Sequence, residues 1–242
     1  LISIGGRELL ALLPVAGLFG GVAWAIVVLN FDRAPLELTP WQQRGRIGLP
    51  AAIAGSVLAL LRNPAHFFRC VHAGRDRDIP LVFVFLLPAL VAPLAVLHDV
   101  LGLTIVSMPR ASLVQVPLTM ALAAVLAPVV SGFGFAVMAL VDHVALLVVG
   151  CRGDLRTTLR VGAYSASVNC ATVVPLVGTA FALVAWPAMK IAGYSECHEI
   201  SRWRAAVAVL LPQFLCLGGL VFVLIALSSG GSAFAPFIYT LF

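Results

Sequence analysis

Between Pro117 and Gly150 the chain runs for 34 residues whose only ionisable side chains are Asp142 and His143. As one helix this stretch would measure about 51 Å at ~1.5 Å per residue. That is long for one perpendicular crossing of a hydrocarbon core of ~30 Å and short for two. The sequence therefore predicts a single helix, with Pro128 and Gly132 as flexures and one end protruding from the lipid. The rest of the chain has the same character: of 242 residues, 62% are hydrophobic and 10% charged, against roughly half and a quarter in soluble domains. A water-soluble fold is excluded on that balance. The 21 glycines and 15 prolines lie mostly inside apolar stretches, which packed membrane helices tolerate. The expected fold is all-α, a polytopic helical membrane bundle and not a barrel.

Four more apolar stretches complete the bundle. Leu9 to Leu29 is long enough to span and carries no charge. Asn30 to Leu49 holds Asp32, Arg33, Glu37, Arg44 and Arg46 among prolines and Trp41, as befits an aqueous loop near headgroups. Pro50 to Leu61 is apolar but too short to cross, and reads as an interfacial helix opened by its proline. A second polar stretch follows, from Arg62 to Asp78. Ile79 to Leu97 spans, with Pro88 and Pro93 as kinks and His98 and Asp99 at its end. Arg160 to Lys190 reads either as one tilted helix or as two short helices folded back near Pro175, and Ala205 to Leu227 is the last crossing.

Charge decides between those two readings. With the hairpin, thirteen basic residues fall on one side of the membrane and only Arg7 and Arg110 on the other; with a single helix the split is ten to five. The bias of basic residues toward the cytoplasmic side favours the hairpin. The resulting topology has about six transmembrane helices including a short hairpin, plus the interfacial helix, and puts the C-terminus on the non-cytoplasmic side.

The few polar residues inside apolar segments are the candidate chemistry. Asp142 and His143 lie either at the membrane surface or within lipid depth, where ionisable groups face a cavity or a partner. Ser165, Asn169 and Thr172 recur at helical spacing and would form one polar stripe, either bonded to neighbouring helices or opening a notch. Lys190 either snorkels to the surface or lines that notch. Asp142, His143, Tyr164, Asn169 and Lys190 are thus the candidate polar notch. Arg62, Arg69, Arg202, Trp203 and Arg204 are the candidate headgroup contacts, with Ser195 or Ser201 capping the final helix. Glu196, Cys197, His198 and Glu199 have metal-ligand chemistry, but adjacent residues cannot all face one ion, and Glu199 three residues before Arg202 reads as an ion pair. No metal, cofactor or catalytic residue is assigned. The five cysteines are odd in number and two sit inside apolar helices, which argues against a disulfide framework. The segment Ser131, Gly132, Phe133, Gly134 reads as close helix packing.

His143, Gly150 to Asp154, Thr158, Leu159, Tyr164, Pro175, Gly178, Trp186, Gly193 and the run SECHEISRWRAAVAVLLP together resemble the YIP family of Ypt/Rab-interacting membrane proteins, its bacterial members most closely. The phrase RNPAHFF from Arg62 to Phe68 matches the family's entry to its first span, and the resemblance covers Arg62 to Gly219. It implies five spans behind a cytoplasmic N-terminal region and a bacterial inner-membrane address. Helices starting at Ile79, Pro117, Val161, Leu176 and Ala205 fit that count. Residues 1–49 are then an extra transmembrane helix and polar loop, and 50–242 a YIP-like five-helix membrane domain with its interfacial helix. The aspartate-leucine-tyrosine-glycine-proline signature of the eukaryotic trafficking members is absent, so vesicle transport with Rab GTPases is not carried over.

Function follows from the small residues at helix faces, the arginine-rich face and the resemblance. The expectation is a non-catalytic integral membrane protein that binds and organises other membrane proteins or lipids, as a subunit of a larger complex, with no role for nucleic acid. The alternative is a transporter of a small solute, ion or lipid that uses the polar notch.

Overall fold

A computed structural model describes residues 6–30, 37–73, 78–100, 115–174 and 176–228. Every regular element among them is helical: α1 (Gly6–Asn30), α2 (Arg44–Ile47), α3 (Leu49–Arg62), α4 (Pro64–Ala73), α5 (Val82–Val100), α6 (Gln115–Val148), α7 (Leu155–Ser165) continued by a 3-10 helix (Ala166–Val173), α8 (Val177–Cys197) and α9 (Arg202–Ser228). Within α6, Val116–Val148 is long and apolar enough to cross a membrane, and it is the one helix among the described residues that is. The six crossings of the sequence reading are therefore not all present as helices of that length and composition.

Local sequence explains most of the boundaries. Gly48, at φ +83°, turns the chain into α3, whose second residue is Pro50. Proline there costs no hydrogen bond, because the first N–H groups of a helix lack intrahelical partners. The sequence reading gave no helix to the stretch after Arg62, yet α4 occupies it. Asn63 accepts a hydrogen bond from the His66 N–H at 3.0 Å, and Pro64 opens the helix. An asparagine cap followed by proline is a start signal that could have revealed this element. α6 is one unbroken helix through Pro128, and α5 continues past His98 and Asp99 to Val100. Asp154 caps α7, its carboxylate accepting from the Thr157 N–H at 3.0 Å.

The reversal that the charge count favoured is present as a break between Val173 and Val177. Val174 is extended, as the residue before a proline should be, and Leu176 adopts φ +63°, an uncommon conformation for a branched residue. Pro175 itself lies outside the described residues. From this break α8 runs back antiparallel to the segment it leaves. Gly178 packs directly against the Ala171 carbonyl, and Gly193, near the other end, packs against Val161 and Phe68. A Cβ at either glycine would collide, so small residues set the distance between the arms of the hairpin. The arms are longer than the half-height helices expected. α8 alone has 21 residues, about 31 Å at ~1.5 Å each.

Neighbouring elements fix the other directions. α6 and α7 are antiparallel, with Gly162 against Phe135 and Thr158 near His143. α5 lies along α6, where Gly132 admits the Phe85 ring. α1 and α8 are parallel: Gly17 meets Val177 and Ala180, Gly21 meets Phe181 and Val184, and the Trp24 indole donates to the Leu61 carbonyl at 2.7 Å. Consequently α2, α3, α4, the start of α5, the α6–α7 turn and the α8–α9 turn gather at one end of the bundle. That end also holds an aromatic core, where Phe67 and Phe83 pack on Tyr164 at ring separations of 4.9 and 5.6 Å and Trp41 packs on Phe83 at 5.6 Å.

Candidate functional site: a buried ion pair and its cavity

Asp142 has no exposed surface and Lys190 only 2%, although an isolated charge inside an apolar bundle is strongly disfavoured. Each is satisfied by the other. The Lys190 ammonium donates to Asp142 Oδ2 at 2.6 Å, and the Tyr194 hydroxyl donates to the same oxygen at 2.8 Å. Trp186 covers the ammonium, its ring centre 4.0 Å from Nζ, a cation–π contact that replaces part of the lost hydration. Trp186, Lys190 and Tyr194 are spaced by four residues, so one face of α8 presents all three to Asp142 on α6. Asp142 Oδ1 is buried and has no hydrogen-bond partner. Asp142 lies six residues before the end of α6, about 9 Å along the axis at ~1.5 Å per residue.

The pair stands at one end of a cavity of about 150 Å³ between α6, the α7/3-10 segment and α8. Ser131 and Asn169 also line it, with Phe135, Met138 and Ala166 supplying apolar wall. Ser131 is eleven residues before Asp142, or three turns, so the cavity is elongated along α6 with polar groups toward each end. Of the five notch candidates, Asp142, Asn169 and Lys190 line it, while His143 and Tyr164 face elsewhere. Tyr164 belongs to the aromatic core. Lys190 does not snorkel. The polar stripe is divided because the chain is a 3-10 helix after Ser165: the Ser165 hydroxyl is buried without a hydrogen-bond partner, and the Thr172 hydroxyl donates to the Asn169 carbonyl at 2.7 Å. At three residues per turn Asn169 and Thr172 share a face and Ser165 does not.

A second polar chain lies toward the crowded end. Thr158 Oγ1 is 3.1 Å from His143 Nδ1 and 3.2 Å from His198 Nε2. One hydroxyl proton serves a single acceptor, so at least one of these imidazoles must donate to the threonine oxygen. Burial lowers the His198 pKa to about 4; the neighbouring His143 and His72 push the same way, against the pull of Asp154. His198 is therefore neutral near pH 7. Hydrogen bonding from Thr157 holds the Asp154 carboxyl below its ordinary range.

Around this end the charged groups form straps. Arg69 and Arg202 reach Glu196 at 3.9 and 4.0 Å, and His72 reaches Glu199 at 3.2 Å. The expected Glu199–Arg202 pair is replaced by these contacts because α8 ends at Cys197 and Glu199 turns into the left-handed region at φ +53°. Ser201 supplies the cap of α9, accepting from the Arg204 N–H at 3.4 Å, whereas Ser195 donates inward to the Ala192 carbonyl. Arg62, Arg202, Trp203 and Arg204 are exposed, and Arg69 is half-buried beside Glu196. All five cysteines are free. Among the described residues, no group of three or more His, Cys, Asp or Glu side chains is placed to hold a metal ion.

An all-helical bundle with a spanning-length apolar helix and a buried ion pair defines the class: a membrane-associated helical protein. The profile of the Yip1 domain matches residues 58–225, more than half of the chain, and the protein belongs to that family. The match runs from α3 into α9 and includes α6, α7 and α8, and hence Asp142, Lys190 and the cavity. No curated protein and no solved structure matches the chain.

Proposed function

We propose that this protein is a non-catalytic, multi-pass integral membrane component that binds and organises other membrane proteins or lipids. The observation that carries this reading is the outer surface of α6. Little of the spanning segment is fully buried, and Leu118, Val125, Val129, Val130 and Phe133 are all exposed. Phe19, Leu183 and Phe214 continue the apolar exterior on α1, α8 and α9. A contiguous apolar exterior of this extent calls for lipid or a packed partner. In this reading α1, α5, α6, the two arms of the hairpin and α9 are six crossings of a bacterial inner membrane. α3 lies in the interface, the crowded basic end is cytoplasmic, and Arg62, Arg69, Arg202, Trp203 and Arg204 meet headgroups there. Residues 1–49 are an added anchor and 50–242 the family core.

The test is site-specific photo-crosslinking in native membranes from Phe133 on α6 and from Trp203 at the headgroup level. Reproducible adducts with one or a few membrane proteins from Phe133 are expected, with lipid adducts dominating at Trp203. Lipid adducts alone at Phe133 would contradict the organising role.

The cavity favours a second reading, that of a small-ion carrier. A buried carboxylate oxygen without a hydrogen-bond partner, on a residue that lines a cavity together with Asn169 and Ser131, is an arrangement that a purely structural ion pair does not need.

A further inference from the structure

The Asp142 carboxylate spends one oxygen on two donors, its other oxygen is buried without a hydrogen-bond partner, and the residue lines the cavity beside Lys190. Among the described residues, no other charged side chain lines the cavity besides Lys190, and α7 and the 3-10 helix contribute only Gly162, Ala166 and Asn169. The site is thus one negative charge at lipid depth, neutralised by one positive charge on a flexible stem. Any replacement occupant must also carry a single positive charge, because in a low-dielectric site an uncompensated charge is costly. A cavity of about 150 Å³ has room for several water molecules, each taking ~30 Å³ in the liquid.

We propose that Asp142 is a monovalent-cation exchange site whose resting occupant is the Lys190 ammonium, displaced when an alkali cation enters the cavity. This rests on the small-ion reading and names its substrate class. The exchange balances. The ionic contact between Asp142 and Lys190 is replaced by one between Asp142 and the incoming cation. One Nζ–H bond of Lys190 breaks with its electron pair remaining on nitrogen, and the proton passes to cavity water and out. The total charge of site, entering cation and leaving proton stays +1 throughout. Tyr194 remains as a hydroxyl beside the carboxylate, and Trp186 shelters the neutral amine as it sheltered the ammonium.

The experiment uses the full chain in lipid nanodiscs in weakly buffered solution with a pH indicator. Sodium or potassium chloride is added, with N-methylglucamine chloride at equal ionic strength as the control. The expected result is release of one proton per chain with an alkali cation and none with the bulky control. Asp142→Asn abolishes it, whereas Lys190→Met retains alkali-dependent thermal protection. The double variant Asp142→Asn with Lys190→Met carries no charge at the site, so it keeps the comparison valid where a single variant fails to fold: release from the native chain and not from the double variant supports the proposal. No alkali-specific release from the native chain, or equal release from the double variant, overturns it. Uptake into vesicles separates this proposal from the reading beneath it. Proton release without cation uptake leaves the exchange site standing and removes the carrier; uptake unchanged in the double variant removes the site and leaves the carrier.

Discussion

Asp142 and Lys190 are 48 positions apart in sequence; Asp142 is the sole Asp, Glu, Lys or Arg between Pro117 and Gly150, and Lys190 the sole one between Val161 and Ser195. Both were visible in the sequence as expensive residues needing an explanation. Their pairing was not, because it depends on the direction in which α8 returns. A rule of opposite lone charges seeking each other in lipid would have joined them, and the four-residue spacing of Trp186, Lys190 and Tyr194 would have added the two aromatic partners. Tyr164 misled because a polar-tipped ring near the polar stripe is equally suited to a core, and its neighbours Phe67 and Phe83 come from distant segments. The energetic consequence is specific. Removing one charge from a buried pair strands the other and costs about 3–5 kcal/mol, whereas replacing both by apolar groups is often neutral. Asp142→Asn or Lys190→Met alone should therefore lower unfolding stability in detergent by about that amount, and the double variant should recover most of it. Additive losses in the double variant would mean that the two side chains do not act as a pair.

At the scale of elements, the long apolar helices were legible, whereas the short helix α4 and the helix type after Ser165 were not. The 34-residue apolar stretch is one helix, and the proline-opened segment at Pro50 is another. The switch from α-helix to 3-10 helix at Ala166 has no strong periodic signature, so the polar stripe was phased at 3.6 residues per turn when it runs at three. α4 was passed over because its charges looked like a loop, although Phe67, Phe68 and Val71 bury against the core. The hairpin stands on a backbone contact. At Gly178 an added methyl would strike the Ala171 carbonyl, whereas at Gly134 nothing lies within 4 Å. Gly178→Ala should destabilise the protein by about 1–3 kcal/mol, as overpacking does. Gly134→Ala, although it also adds a methyl in a helix, should stay within about 1 kcal/mol of the native chain and lean toward stabilisation. Thermal unfolding of the two variants in one detergent would check this, and equal losses would contradict the close approach.

For the whole molecule, the sparse charges proved the better guide to direction and the apolar pattern the better guide to length. Counting arginines favoured a reversal near Pro175, and helices on either side of that position do pack antiparallel. What charge could not supply was the packing that makes the reversal durable: Gly178 and Gly193 inside the hairpin, and Gly17 and Gly21 where α1 lies along α8. The same packing gathers Arg44, Arg46, Arg62, Arg69, Arg152, Arg156, Arg160, Arg202 and Arg204 toward one end, with the ion pair a short distance inside it. A membrane crossed by each arm of the hairpin would bring the start and the end of α8 to opposite faces. Thr179 and Ser201 are exposed positions just inside the first and just beyond the second. The decisive measurement is labelling of Thr179→Cys and Ser201→Cys, each in a background lacking the five native cysteines, with a membrane-impermeant maleimide on sealed right-side-out and inverted vesicles. The account predicts that Thr179→Cys reacts only from the outside and Ser201→Cys only from the cytoplasmic side; reaction of both from the same side would contradict it.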